Sequence, residues 1–179
     1  MRRPSGKKTL QPEAAADANA AHGAAIALLA RRDYSTAEVS RKLADRGYTR
    51  EAIAQAIAAL GDSNSLNDQR YGQNVVAYRA RRGQGPARIR NELRRSGLSN
   101  EAIDAAVKNN EDAPDFVKLA RDARIRKFGA AIPKDRKERA KQARFLQYRG
   151  FSTDHIRAVL EGDPEIDSGP DADSEPNQS

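Results

Sequence analysis

The chain has 179 residues, 38% hydrophobic, 32% charged and only 5% aromatic, with no cysteine, no tryptophan and a formal net charge of +7. The missing cysteine excludes disulfides, a thiolate metal site and a thiol nucleophile, and it suits a reducing cytoplasm. An apolar content that rests on alanine favours small, closely packed helical modules over one large core.

Residues 1–18 contain two prolines and no sustained apolar period, which predicts a disordered basic arm. The run Ala24–Ala30 is too short to span a bilayer and follows polar residues, so neither a membrane helix nor a signal peptide is expected. A helix over about 19–32 presents Ile26 and Leu29, three apart. Ser35 with Glu38 forms a capping-box signature for a second helix, and Tyr34 is placed to staple onto Val39.

A short phrase then recurs three times: a glycine, an apolar residue and a hydroxyl cap, at Gly47-Tyr48-Thr49, Gly97-Leu98-Ser99 and Gly150-Phe151-Ser152. Each copy has a leucine four residues before the glycine (Leu43, Leu93, Leu146), an acid two past the cap (Glu51, Glu101, Asp154) and then an isoleucine (Ile53, Ile103, Ile156). Glycine ends one helix and the hydroxyl caps the next. The acid meets the positive helix end, and the apolar residue staples onto the isoleucine. The recurrence marks a tandem helical repeat.

Between the first two copies, Asn67 caps a helix whose predicted stripe is Tyr71, Val75 and Tyr78. Arg82 falls on the same line and is expected to be structural, bonding helix-end carbonyls, with Arg79 and Arg81 on the edges. Gly83 and Gly85 break that helix, and Pro86 starts the next with Ile89 and Leu93 inward. The same projection puts Arg88, Asn91, Arg94 and Arg95 outside, with Arg90 on the flank. In the final unit a helix from about Pro114 carries Phe116, Leu119, Ala120 and Ala123, and Asp135 with Glu138 opens another.

Charge is distributed unevenly along these units. Residues 112–161 hold thirteen Lys/Arg against seven Asp/Glu, whereas 162–179 hold six acids and no base. The basic body points to an acidic partner, either nucleic acid or a protein surface. Candidate partner-binding residues are Arg79, Arg81, Arg88, Arg94, Arg95, Arg121, Arg124 and Lys127. A solvated charged face is the bland alternative.

Paired helices across a glycine turn also suggest helix-turn-helix recognition of DNA, but the candidate reading helices from Thr49 and Ser99 carry acids and few phosphate-binding groups. Tyr48 and Phe151, which would have to stack on bases, sit at staple positions that favour the core. Nothing suggests catalysis, a cofactor or a metal: there is no phosphate-binding loop, and His22 and His155 fall in different units.

The repeated phrase, together with LNDQRYGQNVVAYRARRGQGPARIRNELRRSGL at residues 66–98, resembles the RecX family, regulatory proteins of the recombinase RecA. The resemblance covers roughly residues 24–161. It implies an all-α fold of three tandem three-helix repeats in an elongated, curved array; outside it, composition predicts disordered tails at 1–18 and 163–179. The repeats fall over residues 19–62, 63–111 and 112–162.

The resemblance further implies a non-enzymatic regulator of recombination and DNA repair. It would bind the groove of RecA filaments on single-stranded DNA, bridge subunits and suppress ATP hydrolysis, strand exchange and filament growth. Composition and the short apolar run, for their part, lead us to expect a cytoplasmic monomer with no cofactor and no membrane contact. The alternative is a protein that binds single- or double-stranded DNA without sequence preference and blocks filaments by occupying it. Two features depart from the family: the long acidic tail, and Gly72 where alanine is usual. Mid-helix glycine costs about 1 kcal/mol against alanine, which predicts a looser helix.

Overall fold

The computed structural model describes residues 10–108 and 113–161. Among them are ten α-helices and no strand. α1 is Pro12–Ala16, and α2 (Ala18–Leu29), α3 (Thr36–Asp45) and α4 (Arg50–Asp62) make a first triplet. α5 (Asp68–Arg81), α6 (Pro86–Arg95) and α7 (Asn100–Lys108) make a second, and α8 (Phe116–Phe128), α9 (Arg136–Tyr148) and α10 (Thr153–Leu160) a third. The packing makes two compact units. One comprises the described residues up to Tyr78 with Arg90–Ala113, and the other Arg79–Ile89 with the described residues from Pro114 onward.

The three glycine phrases build the same joint. Gly47, Gly97 and Gly150 have φ of 97°, 86° and 90°, a region that only glycine enters without a Cβ penalty. The following residue donates back to the helix, Tyr48 N–H to the Leu43 carbonyl (3.3 Å), Leu98 to Leu93 (3.2 Å) and Phe151 to Leu146 (3.1 Å). With the shorter glycine bond beside it, this is a Schellman closure of the helix end. Thr49, Ser99 and Ser152 then accept from the backbone N–H three residues on. The leucines Leu43, Leu93 and Leu146 are completely buried, each contributing about 1.5–3 kcal/mol relative to exposure.

In the first unit Leu28, Tyr34, Val39, Leu43, Ile53, Leu60 and Leu66 form the main core. The expectation for α2 is corrected: Ile26 is 48% exposed, and the buried line is Ala21, Ala25 and Leu28. Ala21 packs with Ala52 and Ala56, so small side chains bring α2 and α4 close, and the larger isoleucine is left outside. The predicted disordered arm is also too long. Pro12–Ala16 is helical, Ala15 is buried, and Asp17 caps α2 by accepting from Asn19 N–H and Ala20 N–H. Ala15 is held because its carbonyl accepts from Thr49 N–H (2.8 Å). The rest of the arm, residues 1–9, and the acidic tail lie outside the described residues.

On α5 the buried line is Tyr71, Gly72, Val76 and Ala80, whereas Tyr78 is 47% exposed. The predicted stripe is thus rotated. Here too the small residues decide: a Cβ added at Gly72 would sit 3.1 Å from Ala106 Cβ and 3.3 Å from Leu98 Cδ2. Gly72 marks close packing rather than a loose helix. The Tyr71 hydroxyl bonds the buried Ser96 hydroxyl (2.9 Å), and Ser35 Oγ donates to the Ser96 carbonyl. The turn before α3 therefore docks on the joint between α6 and α7.

The second unit repeats this contact. Gly85 N–H donates to the Arg149 carbonyl (2.8 Å) and Ala87 N–H to the Gly150 carbonyl (3.0 Å), so the turn before α6 docks on the joint between α9 and α10. Below that joint Ala120, Ala123, Leu146, Phe151 and Val159 form the core, flanked by Phe116, Phe145 and Ile156.

Candidate partner-binding surface

The surface begins with α6, whose amphipathic pattern leaves Ile89 and Leu93 fully buried. That fixes the rotation of the helix, and Arg88, Asn91, Arg94 and Arg95 are exposed as the projection requires. Arg90, on the flank, pairs with Asp104. Arg94 is drawn sideways to Asn91 Oδ1. Arg94 and Arg95 belong to the first unit and Arg88 to the second.

Within the second unit the basic residues interleave with aromatic rings. The Arg88 guanidinium lies 5.7 Å from the centroid of the Tyr148 ring, and Tyr148 is 79% exposed. Next in sequence, Arg149 lies 4.8 Å over Phe145. Phe145 and Arg149 in turn line a shallow cavity of about 110 Å³ with Ala123, Arg126 and Lys127. Two guanidinium groups, those of Arg88 and Arg149, thus lie against aromatic faces at successive positions of the α9 end. Such a surface suits acidic groups flanked by apolar contact.

The remaining candidates separate. Arg81 and Lys127 are exposed, while Arg79 and Arg121 are half-buried. Arg124 is corrected: it is 2% exposed and cannot meet a partner. Its guanidinium donates to the Ala130 (2.8 Å) and Ala131 (2.9 Å) carbonyls and to Gln142 Oε1 (3.4 Å). Burial, and then the Arg121 charge, hold its pKa below the ordinary arginine value. Arg124 thus ties the end of α8 to α9, because those carbonyls lie past the helix end and have no helical donor.

Arg82 does not lie on the buried line of α5. It is exposed and lies beyond the end of α5. At that helix end Arg149 donates to the Arg82 (3.3 Å) and Gly83 (3.1 Å) carbonyls. Arg149 and Tyr148 are the residues that sequence reasoning missed. Their signals were present: Arg149 immediately precedes a joint glycine, and Tyr148 falls off the period that buries Leu146.

Among the described residues no cluster of His, Asp or Glu is arranged to hold a metal ion, and no helix is long and apolar enough to cross a membrane.

Comparison with known proteins finds the RecX first, second and third three-helix domains over residues 21–60, 67–107 and 115–160. The regulatory protein RecX of Halorhodospira halophila is 40% identical over 155 residues, spanning 87% of this chain and 95% of that one. A regulatory protein RecX of Pseudomonas fluorescens is 45% identical over 138 residues, spanning 77% and 88%. The crystal structure of RecX from Lactobacillus salivarius shares the fold with a TM-score of 0.72 at 22% identity, over 84% of this chain and 97% of that one.

Proposed function

The chain belongs to the RecX family of regulatory proteins, and from that membership we propose that it is a non-enzymatic regulator of the RecA recombinase. It binds the groove of RecA filaments on single-stranded DNA, bridges subunits and restrains ATP hydrolysis, strand exchange and filament growth. It acts in the cytoplasm as a monomer, with no cofactor. Its working body is the three repeats over residues 19–62, 63–111 and 112–162.

The observation that carries this reading is the basic and aromatic patch of the second unit, where Arg88 meets the exposed Tyr148 and Arg149 meets Phe145. Arginine and tyrosine are the residue types that anchor protein interfaces, and long cations match an acidic filament surface. Occupation of a groove needs no reacting group.

The exposed Tyr148 also favours a second reading, in which bases stack on the ring and the cations follow phosphates along a single strand. Capture of the recombinase in a pull-down without DNA is compared with binding to naked single-stranded DNA over a salt series. The filament reading expects capture without DNA. Absent capture, with strand binding that weakens steeply as salt rises, establishes the DNA reading instead.

A further inference from the structure

A groove of about 290 Å³ runs between α9 and α10, within the second unit. Ala140, Ala143, Ile156 and Leu160 give it apolar walls, and Arg136, Arg139 and Arg157 supply three cations. The first triplet has a groove in the same place between α3 and α4, where Ile53 and Ile57 stand at the joint offsets of Ile156 and Leu160. That one has Arg50 as its lone lining cation, and Ala54 stands where the third triplet has Arg157. The basic wall therefore distinguishes the last triplet from the first.

The chain leaves α10 at this groove, since Leu160 and Glu161 are among its lining residues. The C-terminal segment from Gly162, GDPEIDSGPDADSEPNQS, carries six acids, no Lys or Arg, and Ile166 as its one large apolar side chain. We propose that the acidic segment Asp163–Asp167 folds back into the groove between α9 and α10. Ile166 lies on Ile156 and Leu160, and its neighbouring acids meet Arg136, Arg139 and Arg157. The tail then acts as an internal competitor for acidic partners of the second unit.

Three features support this occupant. The charges are complementary, and Glu161, where the described chain ends, already stands 3.9 Å from Arg157 Nε as an exposed pair one helical turn apart. The reach is sufficient, because the five residues from Glu161 to Ile166 extend at most about 17 Å, whereas Leu160 back to Thr153 spans about 10 Å of helix. Pro164 and Gly162 supply turn chemistry at the point where the chain must reverse.

The test is methyl NMR of the full chain with labelled isoleucine and leucine, which does not depend on any RecA activity. The Ile166 methyl is expected away from its random-coil position, with nuclear Overhauser contacts to Ile156 and Leu160. Ile166→Ser shifts the Ile156 and Leu160 methyls and leaves Ile53 and Ile57 in place. Neutralising the tail by Asp163→Asn, Glu165→Gln and Asp167→Asn, or raising salt to about 0.5 M, moves Ile166 toward the random-coil position. A random-coil Ile166 with unmoved Ile156 and Leu160 in the serine variant overturns the proposal. So do contacts that vanish on dilution, because the occupant is then the tail of a second copy.

Discussion

Gly85 lies against the backbone of Gly150: a Cβ placed on Gly85 would stand 2.3 Å from the Gly150 carbonyl carbon and oxygen and from Phe151 N. The approach exists because Gly85 N–H must reach the Arg149 carbonyl at 2.8 Å. In Gly85→Ala two backbone segments have to separate, at a cost of about 1–3 kcal/mol or more. Gly23→Ala in α2, with nothing within 4 Å, should instead gain about 0.5–1 kcal/mol. Urea denaturation of both variants checks this, and equal midpoints would refute the close approach.

Arg124 is expected to be needed for stability and not for binding. Arg124→Gln removes its bonds to the Ala130 and Ala131 carbonyls and should cost about 1–3 kcal/mol. Lys127→Glu, one turn away and exposed, should change stability by no more than about 0.5 kcal/mol. If denaturation shows the two variants alike, Arg124 is not the tie between α8 and α9.

Reversing Arg88, Arg94 and Arg95 to Glu should leave helix content nearly unchanged, since all three are exposed and Glu is a good helix former. Partner binding should fall strongly. Under the filament reading, capture of the recombinase without DNA falls with it; under the DNA reading, strand binding and its salt slope fall together. Undiminished filament inhibition would make this face solvated surface only.

The carboxylates of α7 predict an acid limb of stability. Asp104 is held below the usual aspartate range by the hydrogen bond from Arg90, and Glu101 below the usual glutamate range by its own backbone N–H and then by the Ser99 hydroxyl. A depressed folded pKa contributes stability above the ordinary carboxylate range, and this is lost as pH falls through the folded values. Glu101→Gln with Asp104→Asn should therefore flatten the fall of the unfolding midpoint across that acidic range. Identical slopes in both proteins would show that neither group is coupled to folding.

Most of the local structure is written in the sequence itself. The joints at Gly47, Gly97 and Gly150, the caps at Ser35, Thr49 and Ser152, and the outward set of α6 follow from interactions spanning at most five residues. Such interactions repeat wherever the same residues recur. The arginine-rich face of α6 was legible for the same reason, since Ile89 and Leu93 fix its rotation.

Tertiary structure decided what depends on partners far along the chain. Ile26 and Tyr78 look like core residues by hydrophobicity, yet Ala21, Ala25, Gly72 and Ala80 take the buried positions. Close backbone approach rewards small side chains, which a scale of apolarity undervalues. The structural roles of Arg124 and Arg149 have the same origin. Both are arginines near helix ends, and only the fold determines which carbonyls without donors each one meets.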